Sequence, residues 1–152
     1  MKFEKRKVTN KIHLLVFDSS EELASVFLRF QEYYESPEFR GKVFSLEDFK
    51  GWYTKNSPSG MKTGEFKYYS DWNGFNVPSS ILESFRDGSF DPLSKEERKF
   101  LDMFRDEKEP FYVIGVLKGG DGFDDSMRHE IAHGMFYTNE TVSYTHLRAH
   151  ET

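Results

Sequence analysis

The run His129-Glu130-Ile131-Ala132-His133 sets two imidazoles four residues apart with a carboxylate beside the first. On an α-helix, positions i and i+4 share a face about one turn apart, so both rings can reach a single ion. The glutamate between them is rotated off that face. There it would not ligate, but it would take a proton from a metal-activated water whose pKa is lowered towards about 7. The chain has no cysteine, so any metal must be held by His, carboxylate and water. These residue types point to Zn2+, with His129 and His133 as metal ligands and Glu130 as the general base that later returns a proton to a leaving amine. The bland alternative is a chance pattern of two surface histidines, expected in under about one chain in a hundred.

Such a site needs a rigid helix and a strand behind it. Phe111 to Leu117, FYVIGVL, is the clearest strand in the chain, and Gly119 to Ser126 is a flexible loop of turn-forming residues. That loop lacks the lysine and hydroxyl of a phosphate loop and the acid spacing of a calcium loop. The last helix then starts near Met127 with Asp124, Asp125 or Ser126 as its cap. Gly134 inside it costs about 1 kcal/mol against Ala, which marks close packing against another element. Upstream, Lys7 to Phe17 predicts a strand, and Glu21 to Tyr34 a helix capped from Asp18-Ser19-Ser20. A short helix follows Ser45, Thr63 to Tyr69 is a candidate strand, and SDWNGFNVPSS is an aromatic loop. Ser79 or Ser80 caps ILESFRDG with Gly88 at its end, and Ser94 to Glu97 is a capping box opening a helix through Phe104. The expected fold class is α+β: a small mixed sheet with packed helices, its last strand leading into the His-bearing helix.

Composition narrows the partners. With 16 Phe, 8 Tyr and 2 Trp among 152 residues, the core must be built largely from rings. Trp72 and Phe75 are candidate apolar subsites beside a cleft, though core packing is the plainer expectation for both. A net charge of −5 with interleaved acids and bases gives no basic stripe for nucleic acid. The N-terminal apolar run is too short and too polar for a signal or membrane helix, which predicts a soluble, cytoplasmic protein. Oligomeric state is not legible.

From Phe111 to Asn139 the chain resembles the HExxH metallopeptidases, the zincins. The resemblance implies a peptide or protein substrate and an edge strand, at Phe111 to Leu117, that pairs with it; Val113 and Gly115 are the substrate-binding positions it suggests. The clan with a third His is not matched, because Phe136 and Asn139 stand where its glycine and histidine would be. The glutamate clan takes its third ligand from a later helix, placing that ligand beyond Thr141, with Glu140 only a weak local substitute. SDWNGFNVPSS together with HEIAHGMFYTN also looks like HExxH proteins of bacteria and phages, which bring no assigned substrate.

Val142 to Thr152, VSYTHLRAHET, resembles the translation of a transposase-type sequencing adapter and is set aside as a fusion scar would be, His146 and His150 included. Residues 1–141 are then one α+β domain, expected to be cut short at its C-terminus and inactive as a fragment. Two functional classes remain: a zinc-dependent hydrolase, most readily a peptidase, or a non-catalytic interaction domain whose HExxH helix is structural. If the tail is adapter-derived it was never selected to pack, so deleting residues 142–152 should leave the melting temperature within about 1 °C by calorimetry. A loss of several degrees would show that part of the fold had been discarded.

Overall fold

A computed structural model describes residues 2–72, 74–119 and 123–138, apart from the side chains of 123–126. It opens with β1 (Phe3–Thr9) and β2 (Ile12–Phe17), an antiparallel pair. The single strand expected over Lys7 to Phe17 is therefore two strands. The Thr9 hydroxyl closes the turn between them by accepting from the N–H groups of Lys11 and Ile12, both at 3.1 Å. Next comes α1 (Ser20–Glu35), capped by Ser19, whose hydroxyl accepts from the Glu22 N–H. Its stripe of Leu23, Val26, Phe27 and Phe30 is fully buried. In α2 (Leu46–Asn56), Ser45 and Asp48 form a reciprocal capping box.

Two expectations fail in the middle of the chain. Thr63 to Tyr69 is not a strand: Ser57 and Pro58 start α3 (Pro58–Thr63), Gly64 ends it at φ 70°, and α4 (Tyr68–Asp71) follows. Conversely, the supposed loop SDWNGFNVPSS contains β3 (Gly74–Pro78). Turn-forming residues at its ends hide a period of two, with Phe75 and Val77 turned to one side and Asn76 to the other. The helix expected over ILESFRDG is a 3-10 turn (Ser79–Ile81) followed by α5 (Glu83–Arg86), with no side-chain cap on either. Ser79 is occupied elsewhere: its N–H reaches the Phe111 carbonyl at 2.9 Å and its hydroxyl accepts from the Phe111 N–H at 3.0 Å. After α6 (Lys95–Met103), with its Ser94–Glu97 capping box, come β4 (Tyr112–Leu117) and α7 (Phe123–Tyr137). Because α7 begins at Phe123, Asp124, Asp125 and Ser126 lie within its first turn instead of capping it.

Among the described residues the strands form one sheet in the order β1-β2-β4-β3, parallel between β2 and β4 and antiparallel elsewhere. The fold is mixed α+β. The last strand is not at an edge, contrary to expectation: β4 is paired on both sides, by β2 and β3, because the hidden strand occupies its outer flank. Both faces of the sheet are covered. Leu15, Phe17, Phe75, Val77 and Val113 join the aromatic core under α1, whereas Ile12, Leu14, Val16, Tyr112, Ile114 and Val116 join Ile131 and Met135 of α7. Within the aromatic half, Arg29 is buried and doubly bonded to Glu97 at 2.6 and 2.8 Å, with the Phe44 and Pro92 carbonyls accepting from two more of its donors. No helix among the described residues is long and apolar enough to cross a membrane.

At Gly115, α1 side chains lie close against the sheet. A Cβ there would lie 2.3 Å from Phe27 Cε2 and 2.9 Å from Leu23 Cδ1. Gly115→Ala should therefore cost about 1–3 kcal/mol in urea unfolding. Gly51→Ala, in α2 with nothing within 4 Å of the added methyl, should instead stabilise by about 1 kcal/mol. Equal effects at the two positions would refute the close-approach argument.

Candidate metal centre

Ile131 and Met135, both buried against the sheet, fix the rotation of α7. Burying each contributes about 1.5–3 kcal/mol relative to exposure. Gly134 lets the helix close in, since a Cβ there would stand 2.8 Å from the Tyr112 ring. A second anchor is Tyr137, whose hydroxyl accepts from the Ser80 N–H at 3.0 Å and lies 3.3 Å from the Ser79 hydroxyl. The C-terminal end of α7 is thereby tied to the end of β3.

With that rotation set, His129 and His133 are both exposed, and their ring centroids are 4.3 Å apart. Two nitrogen donors thus share one open face. Glu130, partly buried, leaves that face and accepts a hydrogen bond at Oε2 from Nδ2 of Asn76 on β3. Burial pushes its carboxyl above the ordinary range, opposed by the neighbouring His133 and His129 and by the Asn76 amide. Burial, then the Glu130 charge, also pushes the Tyr112 phenol up. The donor set suits zinc in kind, but it is incomplete here. Among the described residues no group of three or more His, Cys, Asp or Glu could hold a metal. Glu140 and everything beyond it lie outside the described residues, as do residues 120–122 of the glycine-rich loop, whose last four residues, 123–126, open α7.

Three of the four substrate-binding positions are not surfaces. Val113 is fully buried under α1, and Gly115 is the contact point for Phe27; both belong to an interior strand whose main chain has no free edge. Phe75 is 2% exposed and stacks on Phe27 at 5.6 Å, making it a core ring. Only Trp72 is open, at 55% exposure, just before the edge strand.

Asn76 and Gln31 were not singled out in the sequence. The backbone N–H of Asn76 donates to Gln31 Oε1 at 2.9 Å, and Gln31 Nε2 lies 3.2 Å from Asn76 Oδ1 and 2.6 Å from Glu35 Oε1. Gln31 thus reaches from α1 around the sheet edge to the side where Glu130 sits. A polar residue flanked by alternating apolar ones is the available signal, hidden because Gly, Asn and Pro in this segment also signal a loop.

Compared with protein-family models, with curated proteins and with solved structures, the chain finds no match.

Two imidazoles without a third ligand should hold zinc weakly. Calorimetric titration of the chain with zinc should give weak binding that disappears in His129→Ala and in His133→Ala. Tight binding unmoved by either change would place the metal elsewhere.

Proposed function

We propose that this protein is a zinc-dependent hydrolase of the HExxH type, a peptidase before any other hydrolase, acting in the cytoplasm on peptide or protein substrates. One observation carries the reading: two exposed imidazoles stand 4.3 Å apart while the carboxylate between them is turned aside and held by an amide. That is the division of labour the chemistry needs, with ligands on one face and a base beside it. Zinc held by His129 and His133, with further donors from outside the described residues, would supply Lewis acidity and bring water near neutral pKa. Glu130 would take the proton of that water and pass it to the leaving amine. Burial raises its proton affinity above that of a free carboxylate, the direction a general base needs.

The edge nearest the site limits how an extended substrate can dock. Gln31 already occupies the outward N–H of Asn76, and Pro78 has no N–H to offer. Strand addition at this edge would have to displace Gln31.

A second reading is supported by the missing third ligand among the described residues: an interaction domain in which the HExxH helix is structural and any metal is incidental. The two separate on one substitution, made in the zinc-loaded protein. Glu130→Gln should keep zinc but lose hydrolysis of a quenched fluorescent peptide library by several orders of magnitude, and His133→Ala should lose both. Activity surviving Glu130→Gln would end the general-base assignment. A wild type that binds no zinc and cleaves no peptide would leave the interaction domain as the reading.

A further inference from the structure

We infer that Asn76, locked in orientation by Gln31, is a positioning residue for Glu130; the inference rests on the hydrolase reading above. Its starting point is the one donor in the network whose polarity cannot be exchanged, the backbone N–H of Asn76. Because that N–H points at Gln31, the atom it meets must be the carbonyl oxygen Oε1, at 2.9 Å. The other end of the Gln31 amide is then necessarily its NH2 group, which faces Asn76 Oδ1 at 3.2 Å and Glu35 Oε1 at 2.6 Å. Asn76 Oδ1 is consequently an acceptor turned to α1, and Nδ2 is a donor turned to Glu130 Oε2. Side-chain amides can ordinarily be flipped at little cost; here a flip of Asn76 would set its oxygen against Glu130 Oε2 and its NH2 against the NH2 of Gln31.

The placement of Asn76 strengthens the argument. It is 6% exposed, on the sheet face otherwise lined by Ile12, Leu14, Val16, Tyr112, Ile114 and Val116. A buried amide on an apolar face is costly unless all its groups are paired. Its four polar groups are not all needed for the sheet: the side chain serves Glu130, and the outward N–H serves Gln31. With Oε2 held, the carboxylate cannot rotate freely, and Oε1 is the oxygen left to accept a proton. Asn76 therefore acts through Glu130 and touches no reacting atom itself.

The decisive variant is Gln31→Glu, nearly the same shape, which replaces the Nε2 donor by an acceptor. Asn76 must then turn its amide to donate to residue 31, presenting Oδ1 to Glu130. Peptide hydrolysis by the zinc-loaded protein should show kcat lowered about 10–100-fold in Gln31→Glu and in Asn76→Leu, with KM and zinc affinity within about twofold of wild type. A structural role alone would move the melting temperature and zinc affinity together without this split. In the chain itself, the Asn76 side-chain amide resonances in 1H–15N spectra should shift in Glu130→Gln and again in Gln31→Glu. Resonances indifferent to Glu130→Gln, or unchanged kcat in both variants with wild-type turnover intact, would overturn the positioning role alone. A rise in kcat in Gln31→Glu would overturn it too, by making Gln31 an obstruction. A wild type without hydrolysis would overturn the hydrolase reading, and the positioning role with it, even where the amide contact is seen.

Discussion

The sheet has to be buried on both faces, and the arrangement of α7 follows from that constraint. Strands β2 and β4 carry apolar side chains at every position in both directions, interrupted by His13 and by Gly115. Such strands cannot stand at a water interface on either side. The aromatic half of the chain covers one face, and Ile131 and Met135 seal the other. Helical geometry then leaves little choice. At about 100° per residue, anchoring positions 131 and 135 on the sheet sends 129 and 133 to the opposite face. Positions 130 and 137 fall together on one flank, the flank facing β3, where Glu130 meets Asn76 and Tyr137 meets Ser79 and Ser80. The exposure of the imidazoles and the shelter of the carboxylate are consequences of one packing decision.

Contact distance matters as much as phase. Glycine at 134 brings α7 down onto Tyr112, and glycine at 115 admits Phe27 from the opposite side. The two glycines face different layers, and each trades helix or strand propensity for approach. In α7 that exchange sits next to His133, so the depth at which the helix lies, and hence the reach of Glu130 to β3, depends on a residue that carries no chemistry.

The sequence was most legible where local and tertiary demands coincide. Ser19, Ser45 and Ser94 cap their helices as their spacing suggests, because a cap is satisfied within a few residues. FYVIGVL is a strand because nothing else suits so apolar a run. Ser79 misled because its hydroxyl is spent on the Phe111 N–H, a partner distant in sequence. The strand at Gly74–Pro78 was hidden for a related reason: Gly, Asn and Pro signal turns locally, yet here each suits an edge strand, with Pro78 where no N–H is required and Asn76 where a polar partner waits on α7. That strand occupies the flank of β4 that the zincin resemblance leaves open to substrate, so Val113 and Gly115 are interior. Of the candidate site, the residues within one helix were readable from spacing alone. Asn76 and Gln31 were not, since their meaning depends on three elements converging.

That convergence bears on why an exposed edge lies beside the imidazole face without being left open. Unpaired strand edges invite association, and proteins blunt them with proline, charge or a covering group. The other edge, β1, uses charge: Glu4, Lys5, Arg6 and Lys7 are exposed along it. For β3 the covering group is Gln31, and the same amide that closes the edge also sets the direction in which Asn76 donates. A Leu at position 31 would leave the Asn76 N–H unpaired, and a Lys would offer only donors to it. Glutamine supplies an acceptor for the main chain and a donor for the side chain in one planar group. The edge protection and the orientation of Glu130 are therefore a single structural feature, which is why neither can be altered at position 31 without disturbing the other.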